Sequence, residues 1–250
     1  MQQSGYRITA AHEAGHWWFR SRRDLFLSQV RRAARELGFP ARPLRLLDFG
    51  CGTGFNLRYL REFGDVAGAD RLRDRDHESC RADGFPLLDV ERDLPRHRGQ
   101  CDLVTALDVL EHLDDDVDGL RTLRGLLAVG GQIVLTVPAY GWLWGGEDVI
   151  SEHRRRYTRA QLVRACEAAG LAVRYASYFN LAILPAMAAV VWARRVFAPG
   201  APPRSNLSTP PPWLNEALYA LTSREAAWVG DERVSLPAGA SILCRVAASG

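Results

Sequence analysis

A glycine-rich segment, LLDFGCGTG at residues 46–54, is the part of the sequence that most clearly predicts ligand binding. It joins an apolar, strand-like run to a helix-like stretch, and glycines in such a turn let the backbone approach a ligand closely. Asp70 ends the next apolar run, twenty residues after Gly50. A carboxylate there can accept hydrogen bonds from both hydroxyls of a ribose. The spacing therefore predicts a ligand that contains a ribose.

Two segments with histidines and acids follow later apolar runs and could move protons. LDVLEHLDDD (107–116) contains Glu111 and His112, and GGEDVISEHRRRYT (145–158) contains His153. Imidazole titrates near neutral pH, so either histidine could act as a general base. The alternative is that Glu111 and His112 only orient the loop through hydrogen bonds.

A third segment, HEAGHWWFRSRR (12–23), contains the pattern His-Glu-x-x-His. On a helix this pattern can hold zinc, with the glutamate as the base of a metalloprotease. Gly15 lies inside the pattern, and no later His or Glu stands in a recognisable third-ligand context. We therefore expect the segment to belong to an N-terminal helical lid and not to a protease.

Composition excludes several other classes. All 32 basic residues are arginine, so a phosphate-binding loop that needs lysine is excluded. The arginines are interleaved with 29 acids, which does not indicate a nucleic-acid surface. The five cysteines are scattered, and the first ten residues lack the apolar core of a signal peptide. These features predict a reduced, cytoplasmic protein.

Strand-like runs alternate with helix-like stretches, a pattern typical of a doubly wound parallel sheet. The strand-like runs lie at 44–49, 65–70, 85–90, 101–108, 131–138, 171–178 and 240–248. Helices are predicted at about 55–63, 115–128 and 158–169, with one or two more over 17–37. The helix at 158–169 opens with a capping box, Thr158 to Gln161, and stops at Gly170.

Residues 179–239 interrupt this alternation before the last strand. An apolar stretch at 181–193 is followed by Arg194 and Arg195, a proline-rich loop and a helix near 213–228. Thirteen apolar residues are fewer than the ~17–25 that cross a bilayer. Two expectations stay open: a buried helix that covers the active site, or a lid that also touches a membrane or a long apolar substrate.

Together these segments resemble the class I S-adenosylmethionine-dependent methyltransferases. The resemblance rests on LDFGCGTG (47–54), Asp70, LLDVERDLP (87–95), CDLVTALDVLEHLDD (101–115), LLAVGGQIVLTVP (126–138) and LPAGASILCRVA (236–247). It implies an α/β, doubly wound, Rossmann-like seven-stranded sheet with an antiparallel last strand. An N-terminal helical lid (1–43), a cofactor-binding core (44–178), an apolar insertion (179–239) and the final strand (240–250) would follow one another.

The resemblance implies S-adenosylmethionine as the cofactor and S-adenosylhomocysteine as the product. It assigns cofactor contacts to Asp48, Gly50, Gly52, Gly54, Asp70, Asp89, Val90 and Asp108. The glycines would lie against the methionine part and Asp70 would bind the ribose. Asp89 and the amide of Val90 would bind the adenine, and Asp108 would border the sulfonium. Arg71 departs from the small apolar residue usual in the family, and Leu72 is expected to substitute for it.

The catalytic and substrate residues follow from the same resemblance. His112, His153 and Tyr157 are expected to act on the acceptor, with Arg154, Arg155 and Arg156 meeting an anionic substrate group. Trp17 and Trp18, with His16 and Phe19, would wall the substrate pocket or simply pack on the sheet.

No metal is expected, but one alternative includes it. Relatives that methylate RNA ends or quinone precursors hold a divalent ion with an acid-x-x-Glu-His segment and a later His. Asp108, Glu111, His112 and His153 match that arrangement, and such ligands suit Mg, Mn or Zn.

The sequence therefore predicts a cytoplasmic methyltransferase that uses S-adenosylmethionine and acts on a small or lipid-like metabolite. Such an acceptor would belong to natural-product or cell-envelope biosynthesis. Nucleic acid is not an expected partner, peripheral membrane contact is an open option, and the oligomeric state is left open. The alternatives are a metal-dependent RNA methyltransferase and a non-catalytic protein that binds the cofactor.

Overall fold

The strands of the computed structural model, which describes residues 9–71, 83–203, 208 and 210–249, form one seven-stranded sheet. They are β1 (Leu44–Phe49), β2 (Gly64–Asp70), β3 (Leu87–Asp89), β4 (Cys101–Leu107), β5 (Leu127–Pro138), β6 (Leu171–Phe179) and β7 (Ser241–Ala248). Their order is β3-β2-β1-β4-β5-β7-β6, and β7 runs antiparallel between β5 and β6. The predicted doubly wound sheet with an antiparallel last strand is confirmed. Leu72 and Cys80 lie outside the described residues.

Helices cover both faces of the sheet. They are α1 (Trp17–Glu36), α2 (Leu57–Leu60), α3 (Asp116–Leu126), α4 (Gly146–Ile150), α5 (Arg159–Ala168), α6 (Leu184–Phe197) and α7 (Pro212–Gly230). The capping box is present: the Thr158 side chain accepts from the Gln161 amide, and the Gln161 side chain accepts from the Thr158 amide. The segment 17–37 forms a single helix because its buried residues recur at helical spacing along one face.

The N-terminal helix α1 is fixed to the sheet and to α7. Leu25, Phe26 and Val30 are buried in a hydrophobic cluster that also contains residues of β1, β4 and α7. The side-chain amide of Gln29 donates to the Gly230 carbonyl at 2.9 Å. The Asn215 side chain accepts a hydrogen bond from the backbone amide of Trp17, the first residue of α1. The lid therefore depends on the insertion for its position.

The insertion differs from the expected buried helix. No residue of α6 is buried, so the expectation of a buried helix over the active site is wrong for this element. The contact with the rest of the fold is made instead by α7, which packs on α1. Glu225 of α7 also accepts hydrogen bonds from the amides of Leu181 and Ala182. Among the described residues, no helix combines the length and the apolar character needed to span a bilayer.

The His-Glu-x-x-His pattern does not lie on one helix. Residues 9–12 are helical, residues 13–15 form a turn, and α1 begins after His16. The His16 side chain caps α1 by accepting from the Trp18 amide, and Glu13 accepts from the Thr53 hydroxyl at 2.6 Å. His12 and His16 therefore do not share the helical face that a zinc protease requires.

Candidate active site

A cavity of about 310 Å³ opens at the carboxyl ends of β1, β2 and β4, the edge where ligands bind in open α/β sheets. The glycine turn after β1 forms one side of it. Helix α1 forms another wall with Phe19, Arg22, Arg23 and Phe26. The lid thus faces the predicted cofactor loop directly.

The glycine turn needs its glycines for conformation and for space. Gly50, Gly52 and Gly54 all have positive φ, which disfavours any side chain. A Cβ on Gly50 would lie 2.5 Å from a methyl group of Val109. Gly50 and Gly52 line the cavity, whereas Gly54 does not.

Asp70 lies at the end of β2, on the cavity wall, and is only 4% exposed. One carboxylate oxygen accepts from the Gly52 amide at 2.9 Å, and the other accepts from the Arg71 amide at 2.7 Å. These bonds fix the orientation of the carboxylate beside the glycine turn. The sequence expectation that the turn and Asp70 lie together agrees with this geometry.

Two other carboxylates assigned to the cofactor lie outside the cavity wall. Asp48 is buried and accepts from the Thr105 hydroxyl at 2.6 Å, so it ties β1 to β4. Asp89 accepts from the amides of Glu91 and Arg92 and shapes the turn after β3. Val90, the next residue, does line the cavity. The structure therefore assigns Asp48 and Asp89 to the scaffold behind the wall.

Asp108 carries a charge partner that the sequence reasoning missed. Its backbone has φ of 55°, and its carboxylate pairs with Arg22 of α1, at 2.5 Å from Nη2 to Oδ1. Arg22 also donates to the Ser241 hydroxyl at 2.8 Å. The only sequence signal for this contact is the pair of arginines after the aromatic residues of the N-terminal segment.

Glu111, His112 and His153 form a compact cluster beside the cavity. One potential ligand atom from each lies within 4.8 Å of the others. Glu111 is fully buried and neither carboxylate oxygen makes a hydrogen bond, so burial and the nearby charge of Asp108 raise its pKa well above the ordinary value. Burial and the neighbouring His153 lower the pKa of His112 to about 4. His112 is the cluster member that lines the cavity.

Asp148 orients this cluster from behind. Its carboxylate accepts from Nδ1 of His153 at 2.8 Å and from Nε of Arg156 at 2.7 Å. Burial opposes its ionisation, but these hydrogen bonds outweigh burial and lower the pKa of Asp148. Nε2 of His153 then faces Glu111 at 3.9 Å. Asp108, the fourth residue of the metal alternative, is paired with Arg22 and stands outside the cluster.

The three arginines expected to meet the substrate hold the loop instead. Arg154 donates to the His112 carbonyl at 3.3 Å and Arg155 to the Leu113 carbonyl at 3.0 Å. Arg156 pairs with the buried Asp148. Because these side chains are used by neighbouring backbone and carboxylate groups, none of them lines the cavity.

The expected aromatic residues are also placed differently. Tyr157 is 4% exposed and its hydroxyl donates to Asp116 at 2.9 Å; burial and this bond raise its pKa. Tyr157 therefore lies in the core and does not reach the cavity. Trp17 and Trp18 do not line the cavity either, and Phe19 does so in their place.

Comparison with known proteins agrees with the fold and the cavity. A family model described as a methyltransferase domain matches residues 16–176. The ubiquinone biosynthesis O-methyltransferase of Aeromonas salmonicida (strain A449) is 29% identical over 151 residues, 52% of this chain and 63% of that protein. The chain thus matches less than two thirds of the length of such relatives.

Two solved structures share the fold at low sequence identity. The plantazolicin methyltransferase BamL, solved with a triazolic desmethylPZN analog and S-adenosylhomocysteine, is 12% identical, with 98% of this chain and 90% of that chain covered and a TM-score of 0.58. Geranyl diphosphate methyltransferase, solved with S-adenosylmethionine, is 16% identical, with 88% and 84% covered and a TM-score of 0.53.

The sheet order agrees with the fold of these methyltransferase structures. Because the family model spans well over half of the sequence, the chain belongs to the methyltransferase-domain family that it describes. Residues 16–176 therefore form a methyltransferase domain, the class of enzyme whose cofactor is S-adenosylmethionine.

Proposed function

We propose that the enzyme methylates a small, largely apolar molecule held between α1 and the carboxyl edge of the sheet. The observation that carries this proposal is the cavity: α1 forms one wall, and about 310 Å³ lies within the usual range for small-molecule sites. Phe19 and Phe26 give that wall apolar surface, and Leu113 adds to it from the loop after β4. Because the cofactor shares this cavity, the apolar side chains and not the volume favour a small apolar acceptor. The relatives' names, which include ubiquinone biosynthesis and geranyl diphosphate, support the same class.

In this proposal, S-adenosylmethionine lies with its methionine part against Gly50 and Gly52, its ribose at Asp70 and its adenine near Val90. All four residues line the cavity. Asp108 lies on the sulfonium side, where its carboxylate compensates the positive charge of Arg22 beside the bound cofactor. This placement is supported because Gly50 and Gly52 after β1, Asp70 at the end of β2 and Val90 after β3 all line one cavity.

The acceptor is a hydroxyl group whose proton passes to His112. Methyl transfer is an in-line displacement: the acceptor oxygen bonds to the methyl carbon, the carbon–sulfur bond breaks, and S-adenosylhomocysteine leaves. A pKa of about 4 makes His112 neutral but weakly basic near pH 7, so its imidazole takes the proton as the new carbon–oxygen bond makes the hydroxyl strongly acidic. His153 packs against His112, with ring centroids 4.8 Å apart, and acts as a positioning residue.

Methyl-labelled S-adenosylmethionine and fractions of a cell extract test this function. The label is expected in small, solvent-extractable molecules, with one S-adenosylhomocysteine formed for each methyl group transferred. Label in RNA or protein would contradict the proposal. His112→Ala should lower kcat by roughly 10²–10⁴-fold. The matched control is His97→Ala, because His97 contacts the Asp93 carbonyl away from the cavity.

A second candidate adds a divalent cation held by Glu111, His112 and His153. It is favoured by one observation: the Glu111 carboxylate is buried without a hydrogen bond, which is costly unless a proton or a cation compensates it. A carboxylate and two imidazoles suit such an ion, and Asp148 orients His153 as carboxylates commonly orient metal-bound histidines. When bound, the cation would lower the pKa of a coordinated hydroxyl.

The two candidates give His112 different roles, and chelation separates them. If His112 acts as the base, a chelator should leave turnover unchanged. If the cluster holds a cation, turnover should fall on chelation and return when Mg, Mn or Zn is restored. Calorimetric titration of each ion into the wild type and into Glu111→Gln then shows whether binding depends on this carboxylate.

A further inference from the structure

Helix α6 exposes an apolar surface along its whole length. Apart from Arg194 and Arg195, its exposed residues are all apolar: Pro185, Ala186, Ala189, Val190, Trp192, Val196 and Phe197. The two aromatic side chains are 63% and 78% exposed and contact each other edge to face, with ring centroids 6.4 Å apart. The transfer of such aromatic side chains out of water is strongly favourable. Such a surface marks an interaction site.

The exposed residues occupy one side of the helix. Positions 185, 189, 192 and 196 form one row at helical spacing, and positions 186, 190 and 197 lie in the adjacent row together with half-buried Ala193. The opposite side holds the other half-buried residues and lies near the turn Gly141–Leu143. Trp142 of that turn is itself half exposed. The apolar side is therefore continuous over about four helical turns and faces away from the core.

The sequence on either side of α6 carries positive charge only. The sequence has no Asp or Glu between Glu167 and Glu216, whereas this stretch contains arginines at 174, 194, 195 and 204. Arg194 and Arg195 stand at the carboxyl end of α6, and Arg195 also donates to the Trp144 carbonyl. An exposed apolar surface with two arginines at its carboxyl end complements an anionic lipid surface.

The length of α6 fits a helix that lies on a membrane. Fourteen residues at 1.5 Å each extend about 21 Å, short of the hydrocarbon core of a bilayer. We infer that α6 docks the enzyme on an anionic membrane, with Trp192 and Phe197 among the lipid chains and the two arginines at headgroup phosphates. This inference does not depend on the identity of the methyl acceptor.

Co-sedimentation with vesicles tests the inference, without cofactor or acceptor present. The wild type should sediment with phosphatidylcholine vesicles that contain phosphatidylglycerol, and much less with pure phosphatidylcholine. Each basic residue near an anionic surface changes partitioning by roughly fivefold, so Arg194→Glu/Arg195→Glu should weaken it at least tenfold. Trp192→Ser/Phe197→Ser should weaken it similarly at unchanged net charge, because apolar burial is lost.

Two controls match these variants. Arg121→Glu/Arg164→Glu makes the same charge change at exposed positions of α3 and α5, and Trp228→Ser removes an exposed tryptophan of α7. Both should sediment like the wild type, and circular dichroism should show that every variant is folded. Equal loss in the controls would overturn the assignment to α6.

Two further results would also overturn it. One is the absence of sedimentation at every lipid composition. The other is a wild type that does not sediment with vesicles but forms a dimer without lipid, as measured by light scattering. If Trp192→Ser/Phe197→Ser dissociates that dimer, the apolar surface binds a second copy of the chain. Methyl transfer to a soluble acceptor is measured separately, so neither result bears on the proposed acceptor class.

Discussion

The cofactor cavity and the cluster around Glu111 occupy the same edge of the sheet, but their carboxylates differ in whether they have hydrogen-bond partners. In the cavity, Asp70 accepts hydrogen bonds from two backbone amides, and Asp108 pairs with Arg22. In the cluster, Glu111 is buried with no hydrogen bond to either oxygen. A polar group at a cavity wall can exchange its partner for a ligand, whereas a buried carboxylate without one needs a proton or a cation. The cavity is thus suited to a polar organic ligand, and the cluster to a proton or a cation.

The largest effect is expected at Asp70. Asp70→Ala should remove two charge-assisted hydrogen bonds to the ribose, each on the order of 1.5–3 kcal/mol, and weaken cofactor binding about a hundredfold or more. Calorimetry measures the affinity. Asp102→Ala is the control, because Asp102 is a buried carboxylate bound to Arg42 and Arg45 near the opposite end of β4. Equal losses in both variants would mean that Asp70 acts only through the fold.

The next effect concerns the stability of the cluster. Because burial and Asp108 raise the pKa of Glu111, its contribution to stability is complete below the ordinary value of 4.5 and is lost as pH rises through the folded-state value. With divalent ions chelated, Glu111→Gln should therefore raise the free energy of unfolding near pH 8 by about 1–3 kcal/mol and change it less near pH 5. Urea denaturation at both pH values measures this.

A second buried glutamate provides the control for that experiment. Glu225 accepts amide hydrogen bonds from Leu181 and Ala182, so Glu225→Gln should lose stability where Glu111→Gln gains it. Restoring a divalent ion should stabilise the wild type but not Glu111→Gln if the cluster binds metal. A destabilised Glu111→Gln in chelator would show that the carboxylate is already compensated, and the contrast with the cavity would fail.

A smaller effect is expected from the contact between the lid and the cavity. Arg22→Gln leaves Asp108 without its guanidinium, but the Asp108 side chain is 42% exposed, so water screens much of the loss. We expect a loss of stability of about 1–2 kcal/mol and faster hydrogen exchange along α1. Arg31→Gln, which alters an exposed ion pair on the same helix, should leave exchange unchanged. Unchanged exchange in Arg22→Gln would mean that packing alone holds the lid.

The smallest effect is expected at Tyr157, outside both regions. Tyr157→Phe removes the hydrogen bond to Asp116 and should cost about 0.5–1.5 kcal/mol of stability, with kcat unchanged within about twofold. Thermal denaturation and steady-state kinetics measure the two quantities. A tenfold fall in kcat with the fold intact would restore the catalytic role that the sequence suggested for this residue.

The strands and the cofactor turn were predictable because their signals are local. Each apolar run lies between polar or glycine-containing turns, and the strand–turn–helix unit sets the distance from Gly50 to Asp70. His112 was predictable at the cavity for a similar reason, because it closely follows a strand whose carboxyl end faces the ligand edge. These predictions need only chain order and periodicity.

Side-chain partners were less predictable because they join distant parts of the chain. Arg22 and Asp108 are 86 positions apart, and no short motif predicts which arginine pairs with this carboxylate. Tyr157 follows three arginines that looked available for a substrate, yet local carbonyls and carboxylates use them all. The exposure of α6 was not predictable, because hydrophobicity alone does not distinguish a core helix from one with an exposed apolar surface.

The position of β7 has a consequence for synthesis on the ribosome. This strand is made last of the seven, yet it pairs with β5 on one side and β6 on the other. Until residues 241–248 emerge, β5 and β6 each keep a row of unpaired backbone amides and carbonyls, which is a template for wrong pairing. The nascent chain therefore spends the translation of residues 180–240 with an open gap in its sheet, and a translational pause there lengthens exposure to aggregation.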